Sequence, residues 1–545
     1  MDVESNAAYT SRRSPVLARG GMVASSQPLA TMAGIEILRA GGNAADSAVA
    51  VAAALNVAQP GSTGLGGDCF CLYYDAATRA VKAMNGSGRS AAAATMDHAE
   101  AEGLSGRLPA EHGLAVTVPG AAAGWEDAVR QLGRLPLADV LAPAIRLADR
   151  GFPVAPLTAL GWCGPAEAKL RRHRHGGELL IDGRGPRPGE VMRNPNFAQT
   201  LRTLADGGAE AFYRGPIGER IVEAVAEAGG LLTAGDLAAH RSQWVEPICI
   251  DYRHLRVWEC PPNGQGLAAL LALNVVKRFD LADTPPGSFR RLHLLIEAMR
   301  LAFADVAWYV ADPEHEAIPV DELLSEDYAA RRAGRIDPGR ANLAHRRGRP
   351  PAGSDTVYFC TADAEGNACS FINSIYVHFG TGIVPEGCGF ALQNRGSCFV
   401  LERGHPNCLA PRKRPYHTII PGMLTWADGG GLFGPFGVMG GMMQPQGHLQ
   451  VVTALADDGV DPQAALDRPR FQLADGEPAG AVLLEPGLPT DVMGRLATAG
   501  HELRVVSARE RGAFGLGQII HRDADSGVLW GGSDPRGDGM AAGVE

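Results

Sequence analysis

GRIDPGRANLAHRRGRPPAGSD (334–355), followed by TVYFCTADAEGNACSFINSIYVHFGTGIV (356–384), is the stretch from which the rest of this chain is best read. The first piece is polar and crowded with proline, glycine and arginine, a composition that does not pack as a core element. The second carries β-branched and aromatic residues on both sides of Glu365-Gly366-Asn367, which predicts two strands joined by a tight turn. Thr356 stands on the boundary. A hydroxyl residue where exposed chain meets a rigid strand is a candidate nucleophile, uncovered by cutting between Asp355 and Thr356. Composition alone leaves the plainer reading open, a threonine that merely starts a strand.

Upstream of this boundary, residues 28–58 read as two helices. PLATMAGIEILRA has apolar residues at helical spacing and ends at Gly41-Gly42; Asn43 then caps an alanine-rich helix with Asp46 in its first turn, and Pro60 stops it. GSTGLGGDCFCLYYD follows as a glycine turn into a strand, and AVKAMNGSGRSA as a strand and loop. From about 117 to 335 the pattern is mainly helical. Beyond 356, short β-rich runs alternate with glycine turns through FGTGIVPEGCGFALQNRGSCFVL, PYHTIIPGMLTW and LFGPFGVMGG, while GHLQVVTALADDG and DVMGRLATAG look helical. Length alone suggests three or four domains. A sandwich holding strands from both parts would make that count too high.

The 545 residues are 46% hydrophobic and 20% charged, as in ordinary soluble globular proteins. A net charge of −10 leaves no basic face for nucleic acid. Arg171-Arg172-His173-Arg174-His175 reads as a solvated helix end. The N-terminus has early acids and no apolar signal core, and the longest apolar runs are too short to span a bilayer, so a cytoplasmic protein is expected. Ten cysteines without a Cys-x-x-Cys pair predict buried, reduced thiols and no structural zinc, and no other metal ligand set is seen.

Neither GSTGLGGD nor GPFGVMGG contains the G-x-x-x-x-G-K-[ST] pattern of a phosphate loop, so no nucleotide cofactor is expected. Glycine clusters can instead aim backbone N–H groups at an oxyanion, and Gly440-Gly441 is the best-placed pair. His378, His417 and His448 form neither a metal pattern nor a serine triad. What remains is threonine chemistry. A threonine hydroxyl needs a base beside it, and an N-terminal α-amine, with a reference pKa of about 8, supplies one from the same residue.

Taken in order, GGNAADSAVA, QPGSTGLGGD, TVPGAAAGWE, PPNGQG, DTVYFCTADAEGNACS, FGTGIV, KRPYHTIIP, GGMMQPQGH and GGSDPRGDG resemble the γ-glutamyltransferase family of N-terminal-nucleophile hydrolases over nearly the whole chain. The resemblance implies an α+β fold, a four-layer αββα sandwich built by both halves of one precursor that cuts itself before the catalytic threonine. That threonine falls on Thr356, ten residues before Gly366, giving a large subunit of residues 1–355 and a small one of 356–545. The assisting hydroxyl falls on Ser374 and the oxyanion glycines on Gly440 and Gly441. No cofactor, membrane or nucleic acid enters, and there is room for a dimer of heterodimers.

The departures from the family pattern concern the substrate. Where the family holds an α-ammonium, LQNRGSCF places Arg395 at the glutamine and Cys398 at the acid, and Tyr376 replaces an asparagine. The paired serines become His417-Thr418, and the usual arginine is displaced, Arg89 standing two residues away. An arginine holds a carboxylate, not a cation. This variant resembles the branch of oxamate amidohydrolases and cephalosporin-acylase-like proteins and implies an anionic acyl group. A true γ-glutamyl enzyme and an uncut, non-catalytic member are the alternatives.

Overall fold

The computed structural model describes residues 13–281, 283–344 and 355–545, so residues 345–354 of the breaker-rich stretch lie outside the described residues. Among the described residues fourteen strands build two sheets: β1 Val16–Ala18, β2 Gly21–Ser25, β3 Asp68–Asp75, β4 Ala80–Gly86, β5 Gln243–Val245, β6 Ile248–Tyr252, β7 Leu255–Glu259, β8 Asp355–Asp363, β9 Ala368–Tyr376, β10 Gly422–Trp426, β11 Leu432–Met439, β12 Leu516–Arg522, β13 Leu529–Ser533 and β14 Met540–Val544. One sheet has the order β14-β2-β8-β9-β3-β4-β5 and the other β1-β13-β12-β11-β10-β7-β6. Every neighbouring pair is antiparallel. Both sheets combine strands from before and after Thr356, so the two segments 1–355 and 356–545 share one sandwich. The domain count suggested by length is accordingly too high.

The helices that matter for the site are α1 Pro28–Arg39, α2 Ala44–Ala58, α3 Ala121–Leu132, α4 Leu137–Arg150, α5 Pro156–Trp162, α6 Gly266–Val276, α7 Phe289–Tyr309 and α8 Met443–Asp457. Phe70, Leu72, Tyr358 and Ile372 of the first sheet meet Met423, Leu432 and Ile520 of the second in the layer between them. The outer face of the first sheet is covered by α1–α4, and that of the second by α6–α8. This is an αββα sandwich. Residues of both inner faces pack where antiparallel sheets bury both surfaces.

The caps follow the sequence. Asn43 accepts from the Ala45 and Asp46 N–H groups while Asp46 accepts from the Asn43 N–H, a complete capping box for α2. All of α2 is buried, and alanine at most positions lets the sheet and three helices approach it closely. The β8–β9 hairpin turns at Gly366, whose φ of 88° suits glycine.

Two expectations are corrected. The span read as mainly helical contains β5–β7; QWV, ICIDY and LRVWE are short two-faced strands whose period is too brief to stand out. The run FGTGIVPEGCGFALQNRGSCFVL, read as β-rich, is irregular apart from one 3₁₀ turn at Arg395–Cys398. It is buried nonetheless, because its backbone bonds locally and across loops: Thr381 N–H to Leu392 C=O, Leu392 N–H to Ile383 C=O, Gln393 N–H to Gly66 C=O. The cysteines are all free, but Cys163, Cys249 and Cys408 are only partly buried. Among the described residues no helix is long and apolar enough to cross a membrane.

Candidate active site

Thr356 is the second residue of β8. Asp355 pairs with Tyr376 and Val357 with Asn373, so the one residue Thr356 faces two, Ser374 and Ile375. This β-bulge re-aims a side chain. Ser374 Oγ accepts a hydrogen bond from Thr356 Oγ1 at 3.2 Å and another from the Tyr376 N–H at 2.9 Å. Tyr376 pays for that turn with a φ of 75°, in the left-handed region that side chains rarely adopt. Thr356 itself is 1% exposed.

Arg395 closes the cluster. Its Nη2 donates to Ser374 Oγ at 3.1 Å, its Nη1 to Thr418 Oγ1 at 2.8 Å, and its guanidinium lies 4.5 Å from the Tyr376 ring centre. The side chain is fully buried and its Nε has no partner. Among the described residues no carboxylate pairs with it. A buried cation whose neighbours are two hydroxyls, an aromatic face and the Cys398 thiol is costly. Burial pushes the Cys398 thiol up, against the pull of the Arg395 charge, so no thiolate is at hand to neutralise it.

His417 does not join the hydroxyls. Its Nε2 lies 3.0 Å from Asp68 Oδ2, both side chains fully buried, while its Nδ1 accepts from the Ile419 N–H. Burial, then the Arg395 charge, pushes His417 down to about 3, so the imidazole is neutral. Asp68 Oδ1 accepts from the Gly88 and Gly120 N–H groups and from Gln393 Nε2. Burial opposes its ionisation, but the His417 hydrogen bond and the positive charge of Arg395 hold its carboxyl below the ordinary value. Asp68 thereby ties four separate segments around the Arg395 turn.

Arg89 is spent elsewhere, on Asp312 at 3.0 Å, Glu314 at 2.8 Å and the Arg412 carbonyl. Gly440 and Gly441, with φ of 128° and 57°, form the bend from β11 into α8. Gln265 Nε2 holds the Gly441 carbonyl at 2.9 Å and also the Thr418 carbonyl, while Tyr416 OH donates to Gln265 Oε1. One glutamine thus links the glycine bend to the hydroxyl beside Arg395. Gly437 of β11 lies so close to the Tyr358 ring of β8 that a Cβ there would sit 2.6 Å from it, which brings the two sheets together behind the site.

A bulged strand start bearing Thr356, a paired hydroxyl, a buried arginine and a glycine bend form one constellation. Residues 30–544 match the family described as Gamma-glutamyltranspeptidase. The chain belongs to the gamma-glutamyltranspeptidase family. It is 38% identical over 536 residues to the glutathione hydrolase-like YwrD proenzyme of Bacillus subtilis, covering 96% of this chain and 98% of that one. It is 35% identical over 531 residues to the oxamate amidohydrolase proenzyme of Klebsiella pneumoniae, with coverage of 96% and 98%. The crystal structure of a cephalosporin acylase from Bacillus halodurans superposes with a TM-score of 0.91 at 46% identity, covering 98% of each chain. The N-terminal-nucleophile sandwich expected from the motifs is therefore the fold.

Within this gamma-glutamyltranspeptidase framework the structure adds Asp68, Gln265 and Gln393, which sequence reasoning did not single out. Asp68 had a signal: it is the acid that ends GSTGLGGD at a strand start. Gln265 and Gln393 lie in the quoted stretches PPNGQG and LQNRGSCF, but their partners, carbonyls and an acid far along the chain, are not legible there.

Proposed function

We propose that this chain is an amidohydrolase, made as a precursor that cuts itself between Asp355 and Thr356, and that it removes short anionic acyl groups from amides. Thr356 Oγ attacks the amide carbonyl while the freed α-amine takes its proton. The C–O bond forms, the C–N bond breaks and the amine leaves with that proton; water then cleaves the ester and restores the hydroxyl. Ser374 holds Thr356 Oγ. The N–H groups of Gly440 and Gly441, at the head of α8, stabilise the oxyanion. No cofactor takes part.

The observation that carries the acyl assignment is Arg395, a buried cation with an unpartnered Nε and no carboxylate in contact with it among the described residues, the nearby Asp68 being held by His417, Gln393 and two backbone N–H groups. It lies one hydroxyl away from Thr356, so the substrate carboxylate is only a few atoms from the scissile carbonyl. Such an anion would complete the charge balance. The same charge disfavours an α-ammonium and argues against a γ-glutamyl substrate. Arg89, already paired with two acids, has no part in this reading; Tyr376 and Thr418 shape the anion's seat, and His417 orients the seat from behind through Asp68.

The relatives named as proenzymes support the cut, and the burial of Thr356 gives it a purpose, since an intact chain leaves the hydroxyl no access. The large segment 1–355 and small segment 356–545 would stay together through their shared sheets. A dimer of such heterodimers would elute at twice 57.1 kDa. Ten free cysteines, with Cys71 and Cys369 Sγ at 3.4 Å and unbonded, fit a reducing, cytoplasmic setting. The test is a panel of oxalyl, succinyl, glutaryl and γ-glutamyl amides on the cut enzyme. Turnover confined to the γ-glutamyl member would overturn the acyl assignment.

A further inference from the structure

The two sides of the proposed scissile bond meet very different surroundings. On the acyl side Arg395, Tyr376 and Thr418 are all 2% exposed or less. On the other side a cavity of about 870 Å³ opens beside Gly440. Gly440, one residue beyond β11, is the one proposed site residue that lines it, and His378, two residues beyond Tyr376, lines it too. Thr356, Ser374, Arg395 and Thr418 do not.

The walls of this cavity are apolar and fixed. Leu157 and Leu160 on α5 are 47% and 44% exposed, unusual for large apolar side chains, and both face the cavity with Met439 and Leu516. The helix that carries them is tied at both ends. Asp538 Oδ2 accepts from the Leu157 and Thr158 N–H groups at 3.0 and 3.1 Å, and Trp162 Nε1 donates to the Leu179 carbonyl at 2.8 Å. The rim charges are already engaged: Arg511 with Glu485, Arg536 with Glu485 and Asp534, Glu510 with Arg504. The cavity therefore offers mainly apolar surface, with Asp538 the one lining acid that no cation pairs among the described residues.

We infer that this cavity is the subsite for the amine half of the substrate, and that it selects a bulky, largely apolar amine over ammonia or a small alkylamine. The inference rests on the proposed amide cleavage at Thr356. Ammonia would leave nearly all of the space unfilled, since one water-sized molecule takes up about 30 Å³, whereas cavities of this size hold drug-sized ligands. A ring system on the amine would cover Leu157 and Leu160 and gain the free energy of removing them from water.

The experiment pairs a small and a bulky primary amine, with Leu160→Asp as the control that leaves leaving-group chemistry untouched. Methylamides and 1-naphthylmethylamides of the oxalyl, succinyl and glutaryl acids are compared on the cut enzyme. For whichever acid is accepted, kcat/KM should be at least about tenfold higher for the naphthylmethylamide, and Leu160→Asp should bring that ratio towards one. A ratio near one in the wild type overturns the inference. Calorimetry with N-(1-naphthylmethyl)acetamide, which has the amine half but no acyl charge, tests the subsite independently of turnover. Binding that Leu160→Asp weakens about tenfold supports it; no binding, or binding indifferent to that change, overturns it. If the probe binds as expected while none of the anionic amides is cleaved, the proposed acyl specificity fails and the subsite stands.

Discussion

Arg395 and Arg89 were both candidates for holding the substrate, and the molecule treats them in opposite ways. Arg89 is partly exposed and spends its guanidinium on Asp312 and Glu314. Arg395 is fully buried, touches hydroxyls, a ring and a thiol among the described residues, and keeps Nε bare. A cation already paired with two acids asks for no further anion. A buried cation that no carboxylate touches among the described residues carries a standing cost that a ligand can relieve. The difference shows that position in a motif does not make an arginine a binding group; what matters is which negative charge it has been left without.

The sharpest way to break this contrast starts with the nucleophile both residues were meant to serve. Thr356→Ala should leave one uncut band of 57.1 kDa on a denaturing gel and abolish turnover; two bands would move the cut elsewhere. Next in size, Arg395→Ala should lower kcat/KM for anionic acyl amides about 10²–10³-fold, as losing a buried charge-assisted pair does. Arg395→Lys should restore only part of it, because one ammonium cannot reproduce the fork that reaches Ser374 and Thr418. Arg89→Ala should change kcat/KM less than about threefold and stability by about 1 kcal/mol or less, since Asp312 also accepts from the Arg414 N–H. An effect of Arg89→Ala as large as that of Arg395→Ala would erase the distinction.

The smallest effect is on the response to acid. The fold keeps His417 neutral down to about 3, while in the unfolded chain it takes up a proton below about 6.5. The unfolded state then binds more protons, so stability falls as pH drops below that value. Burial lowers His240 and His521 to about 4, and they add to the same slope. Asp68, held low in the fold, contributes stability that is present above the unfolded carboxylate value and lost as pH falls through its folded one. Urea midpoints should therefore decrease between pH 7 and pH 5, and His417→Gln should reduce that slope by about one proton.

Much of this was legible. The α2 capping box and the hairpin at Gly366 are local, and local chemistry is written in neighbouring residues. The sandwich was legible through its motifs and not through its strands. The strands β5–β7 escaped because three to five residues hold too few periods to declare themselves. The mostly buried run from 379 to 401 misled for the opposite reason: its apolar residues suggest strands, but its glycines at 380, 382, 387 and 389 take positive φ and its hydrogen bonds cross between loops. Around the site, Thr356, Ser374, Tyr376, Arg395 and Thr418 do come together, whereas the bracing by Asp68 draws on residues 88, 120, 393 and 417 and is invisible until the chain is folded.

The interleaving of strands from before and after Thr356 has a consequence for the history of the molecule. An intact chain finds its partners at the effective concentration that its own connectivity provides. Once the bond before Thr356 is cut, the same sheets can be rebuilt only by two polypeptides meeting in solution, so refolding becomes second order and depends on dilution. The mature enzyme would then persist because it unfolds slowly, not because it can easily re-form. Dilute refolding that succeeds for Thr356→Ala and fails for the cut protein would be the signature of a structure that can be assembled efficiently only once.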